Sequence, residues 1–138
     1  MIPKLIPGGS HSNVRGTLTF NNDFDASSIK RMYTIENADI HSIRGWQGHK
    51  IEQRWFSALT GSFKIQILSI DNFENERNDL EPFQFELKSE KMDVLHIPAG
   101  FLSSIQSLEE NSKLLILADY HTGEINDEFR FSMKLKHP

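Results

Sequence analysis

Short runs in which apolar and polar side chains alternate at every second position dominate this sequence. Lys30–Ile35, Phe63–Ile67 and Phe83–Leu87 follow that period, and Lys113–Ala118 is rich in branched apolar residues. A period of two marks a strand with one face on a core, and aromatic and β-branched side chains suit such a pleated, half-buried surface. Between the runs lie chain-reversing residues: Gly8-Gly9, Asn21-Asn22, Gly45, Gly61, Asp71-Asn72, Asn78-Asp79, Pro82, Pro98 and Gly100. Many short strands interrupted this often predict an all-β sandwich or barrel. Helix is scarce, since Asp25–Lys30 and Asp119–Glu128 predict single turns at most and neither holds a 3.6-residue period with caps. The polar stretch Asp71–Glu81 predicts a long hairpin loop. With no internal repeat and no Pro/Ser-rich linker, one domain over residues 1–138 is expected.

The run richest in chemistry is Arg44-Gly-Trp-Gln-Gly-His-Lys-Ile-Glu-Gln-Arg-Trp-Phe-Ser-Ala-Leu-Thr-Gly61. Taken as one strand ending at a glycine turn, it places Gln47, His49, Ile51, Gln53 and Trp55 on one face and Lys50, Glu52 and Arg54 on the other. The first face mixes amides, an imidazole and apolar bulk, which suits the wall of a cavity. The second face has the composition of a solvated surface. A lone histidine is more often structural than catalytic. The neighbours of His49 favour chemistry, because Gln47 and Gln53 can orient an imidazole without charging it, and Arg44 lies close by in sequence. That is a setting for a general base near neutral pH.

Composition narrows the field. The chain has no cysteine, which excludes disulfides, a thiolate nucleophile and a Cys-based zinc site. Its net charge of -4 disfavours nucleic acid, so any bound phosphate needs a local basic cluster. The opening Met1-Ile-Pro-Lys-Leu-Ile-Pro-Gly-Gly9 contains no apolar run long enough for a signal peptide or a membrane span, so a cytoplasmic protein without membrane contact is expected.

The same run resembles the first motif of the cupins, as Gln47-Gly-His49, then Gln53 or Arg54, then Gly61. Ile97-Pro-Ala-Gly-Phe-Leu-Ser103 resembles their second motif. Of the four positions where metal-binding cupins place ligands, only His49 keeps a ligand residue; the others read Gln47, Gln53 (or Arg54) and Ser103. One imidazole does not hold a transition metal firmly, so no catalytic metal is expected.

Within the cupins the chain is similar to the dTDP-4-keto-6-deoxyhexose 3,4-ketoisomerases (the WxcM-like family) and to the related dTDP-4-dehydrorhamnose 3,5-epimerases. Arg44-Gly-Trp-Gln-Gly-His-Lys50, Gly61-Ser-Phe63, Ile29-Lys-Arg31 with Tyr33, Ile97-Pro98 and Phe129-Arg130 carry the likeness. It implies a cupin-type antiparallel jelly roll and a nucleotide-sugar isomerase that needs no cofactor. In that scheme His49 removes the C3 hydrogen of a 4-keto sugar through an enediol, and Arg44 stabilises the oxyanion or clamps a phosphate. Gln47 and Gln53 orient substrate hydroxyls or the ring. Tyr33 and Tyr120 are candidate proton donors, and Trp46 and Trp55 candidates to stack on the base. Ser103, with Ser104, faces the cavity, and Arg31 joins Tyr33 in holding substrate. Val14-Arg-Gly-Thr-Leu18 resembles a family stretch whose arginine holds phosphates from a neighbouring subunit, which gives Arg15 that role and implies a homodimer paired through Thr17–Phe20. The 3,5-epimerases place their base where this chain has Gln47. A 3- or 5-epimerase and a non-catalytic nucleotide-sugar-binding protein are the alternatives.

Overall fold

A computed structural model describes residues 1–74 and 81–131. Among the described residues the strands are β1 (Lys4–Ile6), β2 (Gly9–Asn13), β3 (Gly16–Phe20), β4 (Arg31–Ile35), β5 (Ile43–His49), β6 (Arg54–Thr60), β7 (Ser62–Ser69), β8 (Phe83–Lys88), β9 (Val94–Ile97), β10 (Phe101–Ser107), β11 (Lys113–Ala118) and β12 (Glu128–Arg130). One helical turn, α1 (Ile70–Glu74), follows β7. Two five-stranded sheets, ordered β1-β9-β6-β11-β4 and β12-β5-β10-β7-β8, pair antiparallel throughout; β2 and β3 form a separate hairpin. The alternating runs predicted as strands become β4, β7, β8 and β11 within a residue or two, and Thr17–Phe20 lies in β3.

The two sheets face each other across one apolar core. Phe56, Leu95, Leu114 and Ile116 come from the first sheet, and Phe63, Ile65, Ile67, Leu87 and Ile105 from the second. A smaller cluster lies on the outer face of the second sheet, where Trp46, Leu68 and Leu102 are covered by Ile70 and Phe73 of α1 and by Phe129 and Phe131. Here the structure departs from the loop predicted over Asp71–Glu81. Ile70 and Phe73 are buried, so their apolar surface draws residues 70–74 into a turn on the sheet; residues 75–80 lie outside the described residues. Of Asp119–Glu128, residues 119–127 form bends and a turn and Glu128 opens β12, with no helix. No helix among the described residues is long and apolar enough to cross a membrane.

The larger departure concerns the run from Arg44 to Gly61. It is two strands, β5 in the second sheet and β6 in the first, joined by a crossing at residues 50–53. The crossing resets the alternation. In β5, Gln47 and His49 point between the sheets as predicted, with Trp46 on the outer face. In β6 it is Arg54 and Phe56 that point inward, whereas Trp55 points out. Glu52, expected in solvent, is buried, and Ile51, expected on the cavity face, is exposed.

Close strand approach accounts for one glycine. Gly48 is paired with Leu102 of β10, and a Cβ there would lie 1.9 Å from the Phe101 carbonyl oxygen. Because this neighbour is backbone, the clash is relieved only by moving a strand. Gly48→Ala is expected to destabilise the protein by about 1–3 kcal/mol, read as a clear fall in the thermal unfolding midpoint. An unchanged midpoint would contradict the packing of β5 on β10.

Candidate active site

The crossing is held from the side by two carboxylates of the 119–127 segment. Asp127 Oδ2 accepts the amides of Ile51 (2.7 Å) and Glu52 (2.9 Å), and Asp119 Oδ1 accepts that of Gln53 (2.8 Å). On the opposite side the His49 carbonyl accepts the Gly100 amide at 2.7 Å, which ties the first motif to the Ile97-Pro98-Ala99-Gly100 turn. His49 is thereby presented at the end of β5 with its ring toward the space between the sheets.

That space is a cavity of about 110 Å³. Its polar wall comprises Tyr33, Arg44, Gln47, His49, Glu52, Arg54, Ser103 and Arg130, and its apolar wall includes Ile35, Phe56, Ile97, Phe101 and Ile116. Ligand sites for drug-sized molecules run to roughly 300–1,000 Å³. The enclosed part therefore suits a single small ring, and anything longer extends through the mouth.

His49 is buried and bonded at both nitrogens. Nδ1 lies 2.8 Å from Asp127 Oδ1, and Nε2 meets Nη2 of Arg54. A guanidinium only donates and an ionised carboxylate only accepts. This pattern assigns the ring proton to Nδ1, donated to Asp127, and the lone pair to Nε2. Burial pushes the Asp127 carboxyl up, but the bonds from His49 and from the Glu52 and Ile51 amides outweigh it and leave it below its ordinary value.

Arg54 is itself clamped. Its Nε and Nη2 lie 2.6 and 2.5 Å from Glu52 Oε2, and its Nη1 donates to the Tyr33 hydroxyl. Arg31 adds a second cation 3.6 Å from Glu52. The Tyr33 hydroxyl is raised above its ordinary pKa, chiefly by burial, although Arg54 and Arg31 pull it down. Tyr33 thus stays protonated at neutral pH and keeps a proton to give. Gln47 donates to Glu128 Oε2 at 2.9 Å, so it is oriented by β12 and not by His49. Among the described residues no hydrogen bond or ion pair engages the guanidinium of Arg44.

Of the residues singled out from the sequence, the cavity brings together His49, Arg44, Gln47, Tyr33 and Ser103. Arg31 sits behind the wall, on Glu52 and over the Tyr33 ring. Six others lie elsewhere. Trp46 is fully buried against Phe73 on the outer face of its sheet. Trp55 points out of the barrel and stacks on His96, while Gln53 bonds to Asp119 and His96. Tyr120 lies beneath Lys30 and outside the cavity lining. Arg15 is exposed near the tip of the β2–β3 hairpin. Ser104 is buried facing away from the cavity that Ser103 lines. Sequence reading missed Asp127 and Glu52, and it named Arg54 and Arg130 only as positions in the family likeness, with no role in the site. The only local signal was the acidic run near Asp127-Glu128, since the partner of His49 is 78 residues away.

Among the described residues, no group of three or more His, Asp or Glu side chains is disposed to hold a metal ion. Fold and site together define a cupin-like antiparallel barrel whose cavity presents one imidazole backed by a carboxylate. Residues 3–136 match the family model described as FdtA: WxcM-like, C-terminal, and the chain belongs to that family. A search of curated proteins finds no match. Among solved structures, a His-to-Asn mutant of the 3,4-ketoisomerase QdtA from Thermoanaerobacterium thermosaccharolyticum, in complex with TDP-4-keto-6-deoxyglucose, is 25% identical with a TM-score of 0.72. That match covers 94% of this chain and 87% of the other. A 3,4-ketoisomerase from Helicobacter canadensis is 20% identical, with a TM-score of 0.73 and 98% and 95% coverage. The dTDP-4-dehydrorhamnose 3,5-epimerase from Bacillus anthracis, with TDP and PPi bound, is 16% identical, with a TM-score of 0.69 and 88% and 75% coverage.

The Asp127 shift sets an acid dependence. A carboxyl held below its unfolded pKa of about 3.9 contributes stability that is complete above that pH and lost as pH falls through the folded value. Denaturant titrations between pH 6 and 2.5 are expected to show a shallower acid limb in Asp127→Asn than in the wild type. Coincident limbs would remove Asp127 from this role.

Proposed function

We propose that this protein is a nucleotide-sugar isomerase, a 3,4-ketoisomerase acting on a dTDP-4-keto-6-deoxyhexose. The observation that carries the reading is the His49–Asp127 pair at the wall of a ring-sized cavity, with the lone pair of Nε2 directed inward. Membership of the WxcM-like family and the substrate bound by the QdtA mutant supply the substrate class.

A hydrogen on the carbon beside a ketone is weakly acidic, and its removal needs both a base and a place for the charge. His49 Nε2 takes the hydrogen from C3, and the C–H electron pair becomes the C3–C4 double bond of an enediol. The proton is returned at C4, the C3 hydroxyl gives up its own, and the carbonyl has moved from C4 to C3. Asp127 keeps the ring in the Nδ1–H tautomer and balances the imidazolium formed in the first step. Tyr33 is the proton donor of this reading in place of Tyr120, because its hydroxyl is inside the cavity wall. Arg44 and Arg130 lie at the mouth, where a diphosphate too long for the enclosed space would emerge, and the guanidinium of Arg44 is available for paired contacts with phosphate oxygens.

His49→Asn is expected to lower turnover of TDP-4-keto-6-deoxyglucose by about 10²–10⁴-fold while TDP still binds. Wild-type enzyme in D₂O is expected to place deuterium at C4 of the 3-keto product, read by NMR. Label at C5, or at C3 with the ketone still at C4, would make it an epimerase, and binding without any exchange would make it a binding protein. For Arg44→Lys the expectation is a loss of TDP affinity well above tenfold, measured by calorimetry. An unchanged affinity would take Arg44 off the phosphates.

A further inference from the structure

We infer that Arg54 is a further catalytic residue, the cation that receives the enolate oxygen as His49 strips the carbon-bound hydrogen; this inference rests on the isomerase reading above. The Arg54 guanidinium lies against the proposed base. Its Nη2 touches the nitrogen assigned as the base, so it borders the spot a reacting C–H must occupy. In a ketone the oxygen that gains charge is one bond removed from the carbon next to the one losing its hydrogen. A cation in contact with the base is therefore within reach of that oxygen.

The guanidinium is also fixed in place. Glu52 holds Nε and Nη2 at 2.6 and 2.5 Å, Tyr33 receives Nη1, and Arg31 reaches Glu52 from behind at 3.6 Å. The Arg54 side chain is only 13% exposed and Glu52 only 4%. A charge set in place before the reaction and shielded from water stabilises a developing oxyanion far better than a solvated one. Arg44, exposed and unpaired among the described residues, is the opposite kind of arginine and fits a phosphate. Nη2 points at the His49 lone pair; when substrate binds, its carbonyl oxygen becomes the acceptor in place of the imidazole while Glu52 and Tyr33 keep the fork in place.

The proton and electron balance closes within the site. The C3–H electron pair forms the C3–C4 double bond, the C4 carbonyl oxygen becomes an enolate oxygen on Arg54, and the C3 proton is now on His49. The Tyr33 hydroxyl relays the O3 proton to O4, and His49, its proton exchanged with solvent, delivers one to C4. Nothing is oxidised or reduced beyond the internal exchange between C3 and C4, and no co-reactant is consumed.

The test is steady-state turnover of TDP-4-keto-6-deoxyglucose by Arg54→Ala with and without added guanidinium chloride. The expected result is a fall in kcat of about 10²–10³-fold with KM changed far less, and recovery of at least tenfold by guanidinium but not by ammonium. A kcat within threefold of wild type, or above it, overturns the proposal. If Arg54→Ala does not fold, Arg54→Lys is read instead: it keeps a charge beside Glu52 but not the planar fork, and a loss of at least tenfold is expected. Wild-type rate in that variant overturns the proposal equally. Wild-type protein that neither turns over nor exchanges the sugar's carbon-bound hydrogens would sink the isomerase reading and this one together, whereas an active wild type indifferent to Arg54 removes this one alone.

Discussion

The carboxylate of Asp127 gathers three donors from one short stretch, residues 49–52, that lies more than seventy residues away in the chain. One oxygen takes the Nδ1 proton of His49, and the other accepts two consecutive amides of the crossing between β5 and β6. The same side chain thus decides where the chain leaves one sheet for the other and how the imidazole is turned when it does. Its hydrogen bonds outweigh the cost of partial burial, so the group stays ionised and remains an acceptor for all three donors. Without such an anchor the amides of Ile51 and Glu52 would lose their acceptor, and the Nδ1 proton of the ring would have no partner.

Behind the imidazole lies a second layer, the buried Glu52 with Arg54 and Arg31 on either side. Isolated, a buried carboxylate or guanidinium is strongly unfavourable; paired, the cluster is tolerated, and taking away one member costs about 3–5 kcal/mol. Such an arrangement adds little to stability compared with an apolar core of the same shape. It does hold charges in fixed positions beside a cavity, which is what proton transfer at carbon requires. The barrel supplies rigid walls, since His49, Tyr33, Arg54 and Ser103 all stand on or at the ends of strands and not on long loops.

The parity change at residues 50–53 explains why one half of the site was readable and the other was not. Within β5 the two-residue period is unbroken, and Gln47 and His49 share the cavity face as their spacing requires. Past the crossing the period restarts in the other sheet, so that Glu52 and Arg54 replace Gln53 and Trp55 on the inside. A continuous-strand reading has no means of seeing a change of sheet. The two tryptophans illustrate the same point: both have the size and chemistry to stack on a base, but outward parity turns one against Phe73 and the other against His96.

By itself the sequence determined the strand-and-turn architecture, the positions of most strands, the place of His49 and the order of short motifs that marks the family, because these depend on local alternation, on turn residues and on spacing. Tertiary structure alone decided that Asp127 would meet His49, that an apparently solvent-facing Glu52–Arg54 pair would be buried against it, and that residues 70–74 would coil onto an outer apolar patch. Those outcomes depend on which surfaces the two sheets leave for segments distant in the chain to cover, and a one-dimensional pattern carries no record of such surfaces.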